Sequence, residues 1–286
     1  MKLVTFDHGG HRIGVVVGDA IIDLSGVADI PQDMNALIAG WSSGVSEIVK
    51  QVVQHRQPDF GLQDVRLVAP IPRPGKLLGT GLNYADHVVE SGLPFPESQI
   101  WFSMPASAVN GPQDDVQLPI VSNELDYEAE LVFVIGQRCR HVPRERAPEV
   151  IFGYCAGNDF SVRDWQLRTS QVLLGKSFDG HAPFGPWIVT KDEIENPHDL
   201  GIRCFVNGEQ RQASNTREMI FNCYDQIALL SQVMTLEPGD VVFTGTPAGV
   251  GLGYKPPKWL KVGDAVRVEI DEIGIIENTV VAEPRI

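Results

Sequence analysis

The chain has 286 residues, 43% of them hydrophobic and 21% charged, proportions ordinary for a globular enzyme and enough for one large domain or a large and a small one. Its 37 acidic and 23 basic residues leave a formal net charge of −14. That balance argues against nucleic acid or an anionic membrane surface as partner, because both demand basic patches.

The 28 glycines and 20 prolines imply many turns and so a strand-rich fold. Short strands alternate with turns over residues 3–24, with breaks at Gly9-Gly10 and Gly18-Asp19, which predicts an antiparallel meander. Residues 33–56 repeat apolar side chains at helical spacing, with an interruption between Gly40 and Gly44. The proline-punctuated stretch 68–75 reads as a linker, dividing a small N-terminal domain (1–70) from a catalytic domain (73–286). Beyond it, 76–82 reads as a buried strand and 83–92 as a short helix or lid ended by Gly92. Residues 94–119 are loop-rich, with Trp101 and Phe102 as anchors. A short helix is expected over 145–151, and a strand and helical turn over 153–166. A loop and strand follow over 175–189. Asn207-Gly208 signals a two-residue hairpin. The strongest helical period runs over 216–236, with Asn215 or Thr216 as its cap, and a final hairpin pairs 266–270 with 274–281. No apolar run approaches the ~20 residues that span a bilayer, and Met1 to Asp7 lacks a signal peptide's apolar segment. Cys139, Cys155, Cys204 and Cys223 form no CxxC pair, so the expectation is reduced thiols in a cytoplasmic protein.

The chemistry centres on residues 126–136, DYEAELVFVIG, a strand by its β-branched and aromatic second half. Strand alternation places Asp126, Glu128 and Glu130 on one face. Three like charges there need either solvent or a hard divalent cation. Asp159, at the end of another apolar run, is their natural partner as a ligand, or else a cap for the turn after it. His87 and Glu90, three apart on a helix, form either a carboxylate-oriented general base or a surface ion pair. Lys176, in a glycine-flanked loop, is either a stabiliser of a developing oxyanion or a solvated lysine. Residues 245–251, GTPAGVG, lack the phosphate-loop pattern and read as a strand-end loop offering N–H groups and the Thr246 hydroxyl to a carboxylate.

Five ordered blocks, GLNYADHVVESG (81–92), DYEAELVFVIG (126–136), AGNDFSVRDWQ (156–166), GKSFDGHAPFGPWIVT (175–190) and PGDVVFTGTPAGVG (238–251), resemble the signature blocks of the fumarylacetoacetate hydrolase superfamily. The resemblance spans roughly 73–283. It implies a mixed α+β fold with a β-roll or sandwich catalytic domain, and a homodimer. It implies Mg²⁺ or Mn²⁺ held by Glu128, Glu130 and Asp159, catalysis by His87, Glu90 and Lys176, and substrate contacts from Arg163, Gln166 and Thr246. Asp126, outside that triad, falls to a supporting or solvent-facing place. The implied substrate is a small anionic diketo acid of the acylpyruvate type, met in aromatic or sugar-acid breakdown. Its C–C bond would be cleaved hydrolytically through an enolate. Oxaloacetate decarboxylation or dienedioate isomerisation could use the same residues, and a non-catalytic metal-stabilised binding protein is the reading from another class. One departure from the family pattern, His181-Ala182, borders the expected site and is expected to affect substrate choice.

Overall fold

Residues Ala129–Ile135 form a strand buried along its whole length, and its side chains alternate between two cores. In the computed structural model, which describes residues 1–285, Leu131, Phe133 and Ile135 enter one core. Val132 and Val134 enter the other. The strand pairs antiparallel with Ile151–Asn158 on one side and Val241–Phe243 on the other. Burial on both faces explains why its second half reads as an unbroken apolar run.

The sheet continues in both directions. From one edge its order is Phe60–Gly61, Ala20–Asp23, His11–Val17, Lys2–Asp7, Ala182–Thr190, Ile151–Asn158, Ala129–Ile135, Val241–Phe243, Leu77–Gly81 and Ile100–Ser103. The predicted meander is therefore present and is joined edgewise to the rest, with Lys2 opposite Val189 and Leu3 opposite Ile188. The helical stretch divides where expected, into Met34–Ala39 and Ser43–His55, each started by a side-chain cap from Asp33 or Ser42. Met34, Leu37, Ile38 and Val49 pack into the same core as Val132 and Val134. Residues 1–70 thus share both a sheet and a core with the rest of the chain.

The opposite face is covered by a second sheet, ordered Glu209–Asn215, Gly201–Val206, Ala265–Ile270, Gly274–Ala282 and Val116–Leu118. Asn207 and Gly208 both take positive φ, as a type I′ hairpin requires. Helix Cys223–Val233 adds Ile227 and Leu230 to this core. It starts later than the periodicity predicts. Asn222 and Asp225 form a reciprocal capping box, while Met219 bridges to Tyr84 and the Ile220 N–H donates to the Asn83 carbonyl. Those tertiary bonds take the backbone of 219–220 out of the helix. The fold is mixed α+β and strand-rich. Among the described residues no helix is long and apolar enough to cross a membrane.

Candidate active site

Glu128, Glu130 and Asp159 bring one carboxylate oxygen each within 4.8 Å of one another. Pairing of the two central strands, with Ala129 opposite Asn158, sets the first two beside the third. The Asn158 side chain accepts the Glu128 N–H at 2.9 Å, and the Asp159 N–H donates to the Glu128 carbonyl. All three side chains are buried, which excludes the exposed polar face. Asp159 is not a turn cap: its Oδ2 takes Lys176 Nζ at 2.7 Å, and its Oδ1 is buried with no hydrogen-bond partner.

The charges around this cluster do not balance within the chain. Arg163 donates to Asp126 at 2.9 Å and to Glu128 at 2.6 Å. Lys176 donates to Glu128 and Asp159, both at 2.7 Å, so it is not a solvated lysine. Four carboxylates therefore face two cations, a deficit of two positive charges. The titration of the acids shows the strain. Burial opposes ionisation of Glu128, but Lys176 and Arg163 outweigh it and hold its carboxyl low. Burial, with Asp159 and Glu128 adding like charge, pushes Glu130 well above the usual carboxylate range. Burial also raises Asp159 to about 6, against the pull of Lys176. An all-oxygen donor set, an unpartnered buried oxygen and a deficit of two charges fit a hard divalent cation.

Of the two places expected for Asp126, it takes the supporting one. It is fully buried rather than solvent-facing. It accepts the N–H groups of Tyr127, Gly251 and Leu252 as well as Arg163. The strand is interrupted here, Leu125–Asp126 pairing with Ser161–Val162 before Ala129–Ile135 begins, and the freed geometry lets Asp126 tie a loop to the arginine.

Helix Ala85–Ser91 carries the second group. Its end at Gly92 takes φ of 68°, a left-handed position suited to glycine. His87 Nδ1 lies 3.1 Å from Glu90 Oε2, and the other Glu90 oxygen accepts the Gly249 N–H at 2.9 Å. Both side chains are largely buried, so the pair is not a surface ion pair. The loop that meets Glu90 also meets the triad, because the Gly245 N–H donates to Glu130 at 2.7 Å. Gly245 and Gly249 have φ of 96° and 102°, and a Cβ on Gly249 would collide with the Arg211 carbonyl.

A cavity of about 340 Å³ joins these groups, with His87, Glu128, Arg163, Gln166, Lys176 and Thr246 among its walls. The other three residues proposed for the site stand behind these walls, Glu130 and Asp159 beside Glu128 and Glu90 beside His87. Gln166 accepts from Arg163 at 2.8 Å. A larger hollow of about 600 Å³ lies between Leu118, Arg211 and Trp259, but it touches neither the triad nor the dyad, and the chemistry decides against it. His181 does not line the 340 Å³ cavity. It is buried, bonds the Gln117 carbonyl at 2.8 Å and stacks on Phe178, so the expected influence on substrate has no direct contact behind it.

Sequence reasoning missed Gln212. Its amide donates to Thr246 Oγ1 and to the Pro247 carbonyl, both at 2.8 Å, and its oxygen accepts the Ala129 N–H. With its oxygen acting as acceptor, the Thr246 hydroxyl keeps its own hydrogen to donate. The available signal was strand alternation after Asn207-Gly208, which turns position 212 inward. Asn83 was also missed; it staples the carbonyls of Thr244 and Phe221.

Fold and site together define an enzyme family. The chain belongs to the fumarylacetoacetate hydrolase family, whose C-terminal domain matches residues 76–281. It is 44% identical to the mitochondrial oxaloacetate tautomerase of Xenopus laevis, over 98% of this chain and 90% of that one. Its structure resembles maleylpyruvate hydrolase from Sphingobium sp. SYK-6 in complex with manganese(II) and pyruvate, with TM-score 0.85 and 35% identity over 99% and 100% of the two chains. It also resembles 2-hydroxyhepta-2,4-diene-1,7-dioate isomerase from Mycobacterium marinum, with TM-score 0.78 and 32% identity over 100% of both. The relatives span hydrolysis, isomerisation and tautomerisation, so membership establishes an enzyme family and leaves the reaction to the site.

Proposed function

We propose that the chain is a divalent-metal-dependent hydrolase that cleaves the C–C bond of an acylpyruvate, with Mg²⁺ or Mn²⁺ held by Glu128, Glu130 and Asp159. The observation that carries this reading is the His87–Glu90–Gly249 relay beside the cavity. A carboxylate only accepts, so the proton of the pair sits on His87 Nδ1 and Nε2 keeps its lone pair. That nitrogen takes a proton from water, and the hydroxide adds to the distal carbonyl. The bond between that carbon and C3 then breaks, its electron pair going to C3 as pyruvate enolate. The His87 proton returns to C3, giving pyruvate and a carboxylic acid. When bound, the ion supplies positive charge where the carboxylate and 2-oxo oxygens of such a substrate gather negative charge. Lys176 has a third N–H beyond its two carboxylate bonds, and Thr246 has its hydroxyl hydrogen; these are the chain's own donors for substrate oxygens. The manganese and pyruvate in the Sphingobium relative support this reading. The four cysteines free of disulfides suit a reducing compartment such as the cytoplasm, and the family resemblance adds a homodimer and a role in aromatic or sugar-acid breakdown.

A second reading, keto–enol interconversion of oxaloacetate, is favoured by the 44% relative. It would use the same base to move a proton between C3 and the 2-oxo oxygen without adding water. Pyruvate release from acetylpyruvate and decay of the oxaloacetate enol, both with Mg²⁺, separate the two. On the first reading pyruvate appears, and His87→Ala slows its release by ~10²–10⁴-fold. Rapid enol decay with no pyruvate from any acylpyruvate overturns the first reading in favour of the second.

A further inference from the structure

The cavity changes character with height. Its floor holds Glu128, Arg163 and Lys176, while its outer wall, with Ser91 and Ser170 as its exposed, uncharged polar members, is built mainly from Leu93, Ile100, Leu167, Val172 and Leu252. These five come from separate segments: the exit of the lid helix, an edge strand, the turn after Arg163–Gln166, the loop before Lys176, and the turn anchored by Asp126. Leu93 is 51% exposed, Ile100 42%, Leu167 65% and Leu252 39%. Exposed apolar side chains scattered singly over a surface are ordinary, but convergence on one hollow continuous with a catalytic floor is not. The charges tell the same story. Among the lining residues the lysine and arginine are Lys176 and Arg163, and both are bonded to floor carboxylates. Nothing cationic lines the outer half to meet a second carboxylate.

We infer that this collar is a subsite for an uncharged, apolar acyl arm, so that the substrate is a monoanionic acylpyruvate with an alkyl or aryl acyl group rather than a dicarboxylate. The inference rests on the acylpyruvate reading of the floor. The pyruvoyl end lies against the carboxylate cluster, and the arm lies along Leu93, Leu167 and Leu252, removing their surface from water. Each methylene placed there adds the usual increment of apolar transfer, about a fourfold gain in affinity.

Calorimetric titration of the Mn²⁺-loaded protein with unreactive 2-oxo acids tests the collar without needing turnover. The expected result is a Kd that falls about three- to fourfold per methylene from pyruvate through 2-oxohexanoate to 2-oxooctanoate. 2-Oxoadipate, which differs from 2-oxohexanoate by a terminal carboxylate, should bind at least ~10-fold more weakly, since that charge would be partly desolvated without a cationic partner. Leu167→Ser and Leu252→Ser, both at exposed positions that do not hold the fold together, should flatten the length series. A Kd independent of length, tighter binding of 2-oxoadipate, or a series that stays steep in both variants overturns the collar. A steep series with no hydrolysis of any acylpyruvate sinks the hydrolase reading and leaves the collar standing; hydrolysis with a flat series does the reverse.

Discussion

The two ends of the cavity are built on opposite principles. At the floor, six ionisable side chains from three stretches of chain, residues 126–130, 159–163 and 176, are buried, and five of them are bonded to one another while Glu130 takes the Gly245 N–H. At the mouth, leucines stand in water with few neighbours to fix them. The floor is costly to assemble, because each buried charge must be matched, so its residues leave little room for variation. The mouth costs little, and its side chains can change without threatening the fold. Members of one family can therefore share the metal chemistry and differ in substrate through the rim.

Three measurements sharpen this contrast. Loss of a floor ligand gives the largest effect. Glu130→Gln should weaken Mn²⁺ binding by more than the ~10–100-fold typical of losing an outer partner, while thermal stability in chelator stays close to wild type. Burial and the like charges of Asp159 and Glu128 push Glu130 toward its protonated form without an ion, and an amide resembles that form. A large fall in apo stability would refute that description. Next, Lys176→Met should destabilise the chelated protein by about 3–5 kcal/mol in urea unfolding, since it strands the carboxylates of Glu128 and Asp159; a change below 1 kcal/mol would mean the carboxylates relax apart. The smallest effect is one of pH. Asp159 is raised from the ordinary carboxylate range to about 6. A raised pKa stabilises the ion-free fold at low pH, and that contribution is lost as pH rises through about 6. The metal-induced rise in Tm should accordingly be larger at pH 8 than at pH 5. An equal rise at both would show that the ion does not compete with protons there.

Much of the floor was legible because strand alternation is a strict rule. Once 126–136 was a strand, Glu128 and Glu130 had to share a face; the strand begins only at Ala129, yet their carboxylates still meet within 4.8 Å. The separate placing of His87, Asp159 and Thr246 around one cavity was not in any local pattern; it came from the order of the five family blocks. What stayed hidden depends on long-range hydrogen bonds. Asp126 looked like a third acid in a row, and only the return of residues 251–252 to its carboxylate shows why it is buried. Gln212 had no charge to draw notice, yet it joins the strand of Glu130 to the loop of Thr246. The late start of helix 223–233 has the same origin, since the periodicity over 216–222 is outbid by bonds to Asn83 and Tyr84.

The seven-residue loop 245–251 touches both halves of the chemistry through backbone amides. Gly245 holds Glu130, an acid of the triad, and Gly249 holds Glu90, the acid paired with His87. Ala248 adds a contact to Asp86, at the start of the lid helix. The two acids are thus joined by four peptide units of one loop. The loop works as a gauge block between the carboxylate triad and the His87–Glu90 pair: its length sets their spacing, and its glycines let the chain hold that length at backbone angles other residues would resist.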